Sequence, residues 1–391
     1  MMKRVAGVFA LVLGLSTIPV TSGAQATNSP YEINAVLSLT GGAAVIGTHE
    51  AQSLSIAEKL INRDGGIQGR PVKFVVQDDT SNPQVSVQLM NGLIAKGAPV
   101  VIGSGVVAMC NAMLTLAEKS GPLTYCLSPI VNLTAGSYMF GASTGTKDII
   151  QYTLRLLRSR HLTRVALITA TDASGQTYDS GFVAGVAGAD GAGLEIVDKE
   201  QFNVTDLSMT AQLARIKSAS PQVIVTYCTG PSFGTLLRSI NDSGVTVPVF
   251  GSGGNLSYAQ LQPYGTFAPK ELYLTGSNGL VPDPGATGPY KAAQTRFFNA
   301  YKEAGIRVEY LDTIAWDPAM MLVDAIRNLG PSAPAAQIRT YLQSLRGWAG
   351  VEGRYDFRTY PQRGLGVEAV AAYQWVATDS TVRPVPAFRM P

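Results

Sequence analysis

Residues 33–77 read INAVLSLTGGAAVIGTHEAQSLSIAEKLINRDGGIQGRPVKFVVQ, and this stretch decides the fold. Ile33–Leu39 is an apolar run of strand length. Ala51, Leu54, Ala57, Leu60 and Ile61 then recur at the three- and four-residue spacing of a helix that lays one stripe on a core. Gly65-Gly66 ends the helix, since glycine accepts the left-handed turn a helix exit needs. Val72–Gln77 is the second strand. A strand, a helix and a strand at this spacing call for a parallel pair with a helical crossover.

The pattern repeats outward from there. A helix at Gln84–Ala95 leads to the strand Val100–Ile102, and a helix at Met109–Lys119 leads to Leu123–Leu127. A second series begins after Gly145, with a helix at Ile149–Leu157 and the strand Val165–Thr169. Strands at Leu194–Val197, Val223–Tyr227 and Val247–Phe250 follow, separated by helices at Phe182–Gly188, Met209–Ser218 and Phe233–Ser243. The Gly- and Pro-rich segment Gly276–Gly288 reads as a connection. Helical spacing resumes at Ala292–Ala304, Pro318–Asn328 and Ile338–Leu345, and Ala369–Val376 is a last short strand. The expected fold class is α/β: two lobes, each a doubly wound parallel sheet.

Lys3 and Arg4 precede an apolar run from Val5 to Leu15, then Pro19 and the small-x-small triplet Ala24-Gln25-Ala26. That is the build of a secretory signal peptide cleaved after Ala26, and it sends the chain to the periplasm. The mature chain has no Cys at its start to take a lipid, so the expectation is a soluble exported protein. Charged residues are 15% of the chain and balance to +3, with no Lys/Arg run of the kind nucleic acid requires. Two histidines, His49 and His161, and three cysteines assemble no metal site by spacing. No cofactor is expected. An oxidising compartment permits a disulfide between Cys110 and Cys126, which share one βαβ unit, and spacing leaves that open. Cys228 follows Val223-Ile224-Val225 and reads as a buried thiol.

Two motifs suggest catalysis and lack the partners for it. Gly103-Ser104-Gly105-Val106-Val107-Ala108 fits the dinucleotide fingerprint, but the acidic residue needed at the end of the following strand is replaced by Tyr125–Ser128. The better reading is a strand-end turn whose free N–H groups hold another anion, such as a carboxylate. Gly141-Ala142-Ser143-Thr144-Gly145 fits the hydrolase elbow, but only His161 lies downstream as a base, beyond a predicted helix. An exported hydrolase using Ser143 is the remote alternative.

The chain resembles the type I periplasmic binding proteins of the Leu/Ile/Val group, the ligand-delivering subunits of ABC importers. The matching residues are Leu39-Thr40-Gly41-Gly42 with Ile46-Gly47, Ile61-Asn62-Arg63-Asp64-Gly65-Gly66-Ile67-Gln68-Gly69-Arg70, and Asp78-Asp79. Further on they are Val101-Ile102-Gly103-Ser104, Leu127-Ser128-Pro129, Asp172-Ala173-Ser174-Gly175-Gln176 and Ala315-Trp316-Asp317-Pro318-Ala319. The resemblance implies two lobes joined by a multi-strand hinge that close on a ligand at the strand carboxyl ends. Lobe I is expected to hold residues 27–145 and 279–355, and lobe II residues 146–278 and 356–391. It implies no enzyme, and a monomer that hands a small-molecule carboxylate to a membrane permease, or serves as a ligand sensor.

Departures from the resemblance bear on the ligand. Amino-acid-binding members carry a Glu on a lobe II loop that here reads Gly251-Ser252-Gly253-Gly254-Asn255, without a carboxylate. An unpaired buried ammonium costs several kcal/mol, so an aromatic acid is expected ahead of an α-amino acid. Ser174, Gly230 and Ile46 stand where larger aromatic residues are common, which widens the pocket. Ser104, Gly105, Val106, Val107 and Ser128 are the expected carboxylate grip, Asn132 and Asn255 the partners of ring substituents, and Ile130, Thr229 and Gly253 further lining. A branched-chain or other amino acid is the alternative ligand. Tyr355-Asp356-Phe357 resembles a segment of relatives proposed to take other ligands.

Overall fold

The computed structural model describes residues 1–2 and 29–386. The expected signal peptide and its cleavage site lie outside the described residues. The first sheet comprises β1 (Tyr31–Leu37), β2 (Val72–Asp78), β3 (Val100–Gly103), β4 (Leu123–Cys126) and β5 (Met139–Gly141), in the order β2-β1-β3-β4-β5, all parallel. Its helices in this half are α1 (Ala44–Arg63), α2 (Pro83–Ala95) and α3 (Val107–Ala117). β3 and β4 are buried on both faces, which is why they read as unbroken apolar runs rather than alternation.

The second sheet is built from β6 (Arg164–Ala170), β7 (Glu195–Phe202), β8 (Val223–Tyr227), β9 (Val249–Ser252) and β10 (Leu272–Ser277), with α4 (Thr146–Ser159), α5 (Ala173–Ala187), α6 (Thr210–Ser218), α7 (Pro231–Ser243) and the single turn α8 (Tyr258–Leu261). After β10 the chain returns to the first sheet with α9 (Gly288–Glu303), α10 (Tyr310–Leu329) and α11 (Ala335–Ser344). α10 packs along α1 and α11 against β4. The hairpin β11 (Arg346–Ala349) and β12 (Arg354–Asp356) precedes the return of β13 (Val370–Val376) and β14 (Thr381–Pro384) to the second sheet. That sheet runs β14-β13-β10-β9-β8-β6-β7, and β13 pairs antiparallel with both β10 and β14. The two parallel sheets thus carry one antiparallel margin.

Local chemistry sets many helix starts. Asn82 caps α2 by accepting from Gln84 N at 2.9 Å, with Pro83 in the first turn. Asp172 caps α5 through Gly175 N at 2.8 Å. α10 has a full capping box: the Glu309 side chain takes an N–H of the first turn, and Glu309 N donates to Asp312 Oδ2 at 2.8 Å. It therefore begins eight residues before Pro318, where the sequence suggested a start, and carries that proline inside. Burial of nearly all of residues 310–319 outweighs the proline's lost N–H.

β10 went unread because Leu272–Ser277 is short and runs into the Gly/Pro segment; it is a strand because β9 and β13 flank it. Phe357 packs on Phe140 with ring centroids 5.6 Å apart, and Gly141 N donates to Gln362 O at 2.8 Å. The segment after β12 therefore runs along β5 before the chain crosses, beyond the expected boundary at residue 355. Cys110 and Cys126 are joined by a disulfide, and Cys228 is a buried free thiol.

Candidate functional site

The carboxyl ends of both sheets face each other across a cleft of about 110 Å³. From the first half, Ile46 and Glu50 of α1, the β3–α3 turn Gly105–Ala108, the Leu127–Ile130 segment after β4, and Leu311 and Ile314 of α10 form the wall. From the second come Ile149, Asp172–Ser174, Tyr227, Thr229, Ser252–Gly254 and Thr275, and Tyr310 closes the floor. Val107 and Ile130 pack into the apolar cluster of the second half with Ile149 and Tyr178, so the halves touch across the cleft.

Of the residues singled out from sequence, Ile46, Gly105, Val106, Val107, Ser128, Ile130, Ser174, Thr229 and Gly253 line this cleft. Four do not. Ser104 is fully buried and turned inward: its Oγ accepts from Val106 N at 3.1 Å and lies 3.3 Å from Ser38 Oγ. Asn255 is spent inside the fold, with Nδ2 donating to Cys228 O at 2.8 Å and Oδ1 accepting from Gln260. Gly230 supports the start of α7, where its φ of 73° favours glycine and its carbonyl accepts from Gln260 Nε2. Asn132 is exposed and borders a separate 620 Å³ groove between α4 and α5. For Ser104, Asn255 and Gly230 a backbone or neighbouring polar group, invisible in the local sequence, takes the side chain or carbonyl.

The α3 N-terminus opens on the cleft at Gly105–Ala108. It begins without a side-chain cap, so first-turn N–H groups are left for a ligand. Ser128 Oγ accepts from Ile130 N at 3.3 Å, which leaves its own O–H to give. Among the described residues, the cleft lining contains no Lys, Arg or His. It does contain two carboxyls, Glu50 and Asp172, that the sequence reading left out of the site. The loop Gly251–Asn255 lacks a carboxylate, and these two stand elsewhere in the lining. Asp172 Oδ1 is taken by Ser174 Oγ and Gly175 N, both at 2.8 Å. Glu50 is fully buried, and neither of its oxygens makes a well-formed hydrogen bond. Burial pushes its carboxyl well above the usual carboxylate range; the Gly105 N–H opposes this and Asp79 adds to it.

Ser143 does not build a hydrolase. Its side chain is fully buried, and the 14-residue α4, about 21 Å long, lies between it and His161. Behind the cleft sits a buried polar cluster where the chain crosses between the sheets. Ser277 Oγ donates to Glu352 Oε1 at 2.6 Å and Thr313 Oγ1 to the same oxygen at 2.9 Å. Asp317 accepts from Val351 N at 2.8 Å, Glu352 N at 3.1 Å and Tyr355 OH at 2.9 Å.

Comparison with known proteins agrees with this architecture. A family model described as "Periplasmic binding protein" matches residues 30–380. A Leu/Ile/Val-binding protein of Rhizobium johnstonii is 24% identical over 364 residues, 90% of this chain and 94% of that one. An extracellular ligand-binding receptor from Rhodopseudomonas palustris superposes with a TM-score of 0.81 at 18% identity, over 92% of this chain and all of that one. An ABC-transporter solute-binding protein of R. palustris, solved with benzoate, gives 0.71 at 18% identity over 91% and 96%. These relatives are ligand-binding proteins rather than enzymes, and with the family match over most of its length the chain belongs to the periplasmic binding proteins.

Proposed function

We propose that this protein is exported to the periplasm, loses residues 1–26 there, and captures a small organic carboxylate for an ABC permease. The carboxylate sits on the α3 N-terminus and the Ser128 hydroxyl, and a compact apolar body fills the space between Ile46, Val107, Ile130 and Ile149. Lobe I (27–145 and 279–355) and lobe II (146–278 and 356–391, its first part in contact with β5) close on it by bending at their crossings. The observation that carries this reading is a helix N-terminus without a side-chain cap, opening into a largely apolar cleft beside the Ser128 hydroxyl. Gly105, Val106, Ser174, Thr229 and Gly253 complete the contacts.

An aromatic acid remains the favoured ligand, because Tyr227 and Tyr310 line the cleft and a solute-binding protein of like fold holds benzoate. A branched-chain amino acid is the second reading, supported by the similarity to the R. johnstonii protein and by Asp172 and Glu50 in the lining. Thermal unfolding with benzoate, 4-hydroxybenzoate, leucine and valine separates them. A true ligand at about 100–1,000 times its Kd adds about 3–4 kcal/mol of stability. Stabilisation by leucine or valine alone removes the aromatic reading, and no response to any carboxylate removes both.

A further inference from the structure

Among the described residues of the cleft, Glu50 is a carboxyl with no cation beside it and no well-formed hydrogen bond. It projects from the middle of α1 and is fully buried. The Gly105 backbone presses on it so closely that a Cβ at Gly105 would overlap Oε1. The charged groups that face it offer no cation. Asp79, at the end of β2, takes donors from Ser38 Oγ, Ser81 N and Ser86 Oγ. Asp172 stands in the lining on the α5 side, and the Tyr310 hydroxyl is directed to Ser277. His49, on the same helix, is turned to Asp312 and Glu309 of the α10 start at 3.2 and 3.5 Å. Of the two carboxyls, Asp79 takes three donors and Glu50 has only the backbone N–H of Gly105 near it, so the proton is held more readily on Glu50.

A neutral carboxyl there has an O–H that needs an acceptor, and it lies against Gly105, beside the uncapped N–H groups of α3. We propose that Glu50 is a specificity-determining residue that is protonated in the loaded cleft and donates its O–H to the ligand carboxylate, so that the site takes up the anion together with one proton. This rests on the carboxylate reading of the cleft given above. It makes the ligand class an acid captured as its anion, without an ammonium directed at Glu50. An ammonium there would instead ionise Glu50 and release its proton.

Titration calorimetry tests this, with benzoate and leucine as probes, in buffers of different ionisation enthalpy between about pH 6 and 9. Wild type, Glu50→Gln and Glu50→Ala are compared, each first shown to unfold cooperatively. Benzoate binding is expected to take up a proton at the alkaline end, with Kd rising up to about tenfold per pH unit once free Glu50 ionises. Glu50→Gln keeps a donor and has no proton to lose, so its Kd shows no such slope with pH and its binding takes up no proton. Glu50→Ala binds about 10–100-fold more weakly. Proton release on binding, an undiminished slope in Glu50→Gln, or full affinity in Glu50→Ala overturns the assignment while leaving carboxylate capture intact. Absence of binding by either probe at every pH overturns the carboxylate reading and the Glu50 assignment together.

Discussion

Gly105 shows how little slack the cleft has. A Cβ there would overlap Glu50 Oε1 and come within 2.9 Å of Ile46 Cγ2. Both neighbours belong to α1, which is held along α10, so neither moves away freely. Gly105→Ala should cost about 1–3 kcal/mol by overpacking. It should also push Glu50 out of place and weaken ligand binding at least severalfold. Denaturant unfolding and calorimetry check the two effects, and an alanine variant with wild-type values in both would show that α1 yields. The sequence marked Gly105 as a strand-end turn for an anion, and the structure puts it in the cleft. It did not mark Glu50, which sits between apolar helix positions as an ordinary polar residue would.

The elements that cross between the sheets meet at Asp317 and Glu352, two fully buried carboxyls held by neutral donors. Burial first, and then the Asp317 charge, push Glu352 up to about 8, and burial raises Asp317 to about 6. Because the folded state holds these protons more tightly than the unfolded chain does, their stabilisation is complete at low pH. It falls between the unfolded value of 4.5 and about 8. The protein should therefore be more stable near pH 5 than near pH 8.5 on this account, by a few kcal/mol at most. Glu352→Gln keeps an acceptor for Ser277 and Thr313, and should flatten that slope and raise the Tm at pH 8.5. An unchanged pH profile in the variant would place the titrating group elsewhere.

The Cys110–Cys126 bond ties α3 to β4 across a 16-residue separation behind the Gly105–Ala108 turn. Replacing both cysteines with serine should lower stability by about 2–4 kcal/mol. Thermal unfolding reads the loss, and a variant with wild-type Tm would assign the bond no stabilising role.

For the whole molecule, the question is how the two halves stay registered. The run after β12 is part of the answer: Gln362 donates to Ser137 O at 2.8 Å, and Arg363 to Ala142 O at 3.0 Å and Val131 O at 2.7 Å. Arg363→Ala leaves those two carbonyls unanswered beside the first crossing, and should cost about 1–3 kcal/mol. If the crossing acts as a hinge, the variant should also change the contraction that small-angle scattering detects when ligand is added.

The alternation of strands and helices, the two-lobe division and the glycine-rich strand ends were legible along the chain because each depends on neighbours within a few residues. What lay beyond local reading were the groups whose partners are distant in sequence. Ser104 pairs with Ser38, Asn255 with Cys228, and Glu352 with Ser277, across 66, 27 and 75 positions. β10 is likewise a strand because it is flanked, and α10 absorbs Pro318 because its face is buried. Periodicity is a local property and specifies the layers. Hydrogen-bond satisfaction in a buried cleft is a property of the packed whole, so folding alone turned Asn255 inward to Cys228 and put Glu50 in the cleft wall.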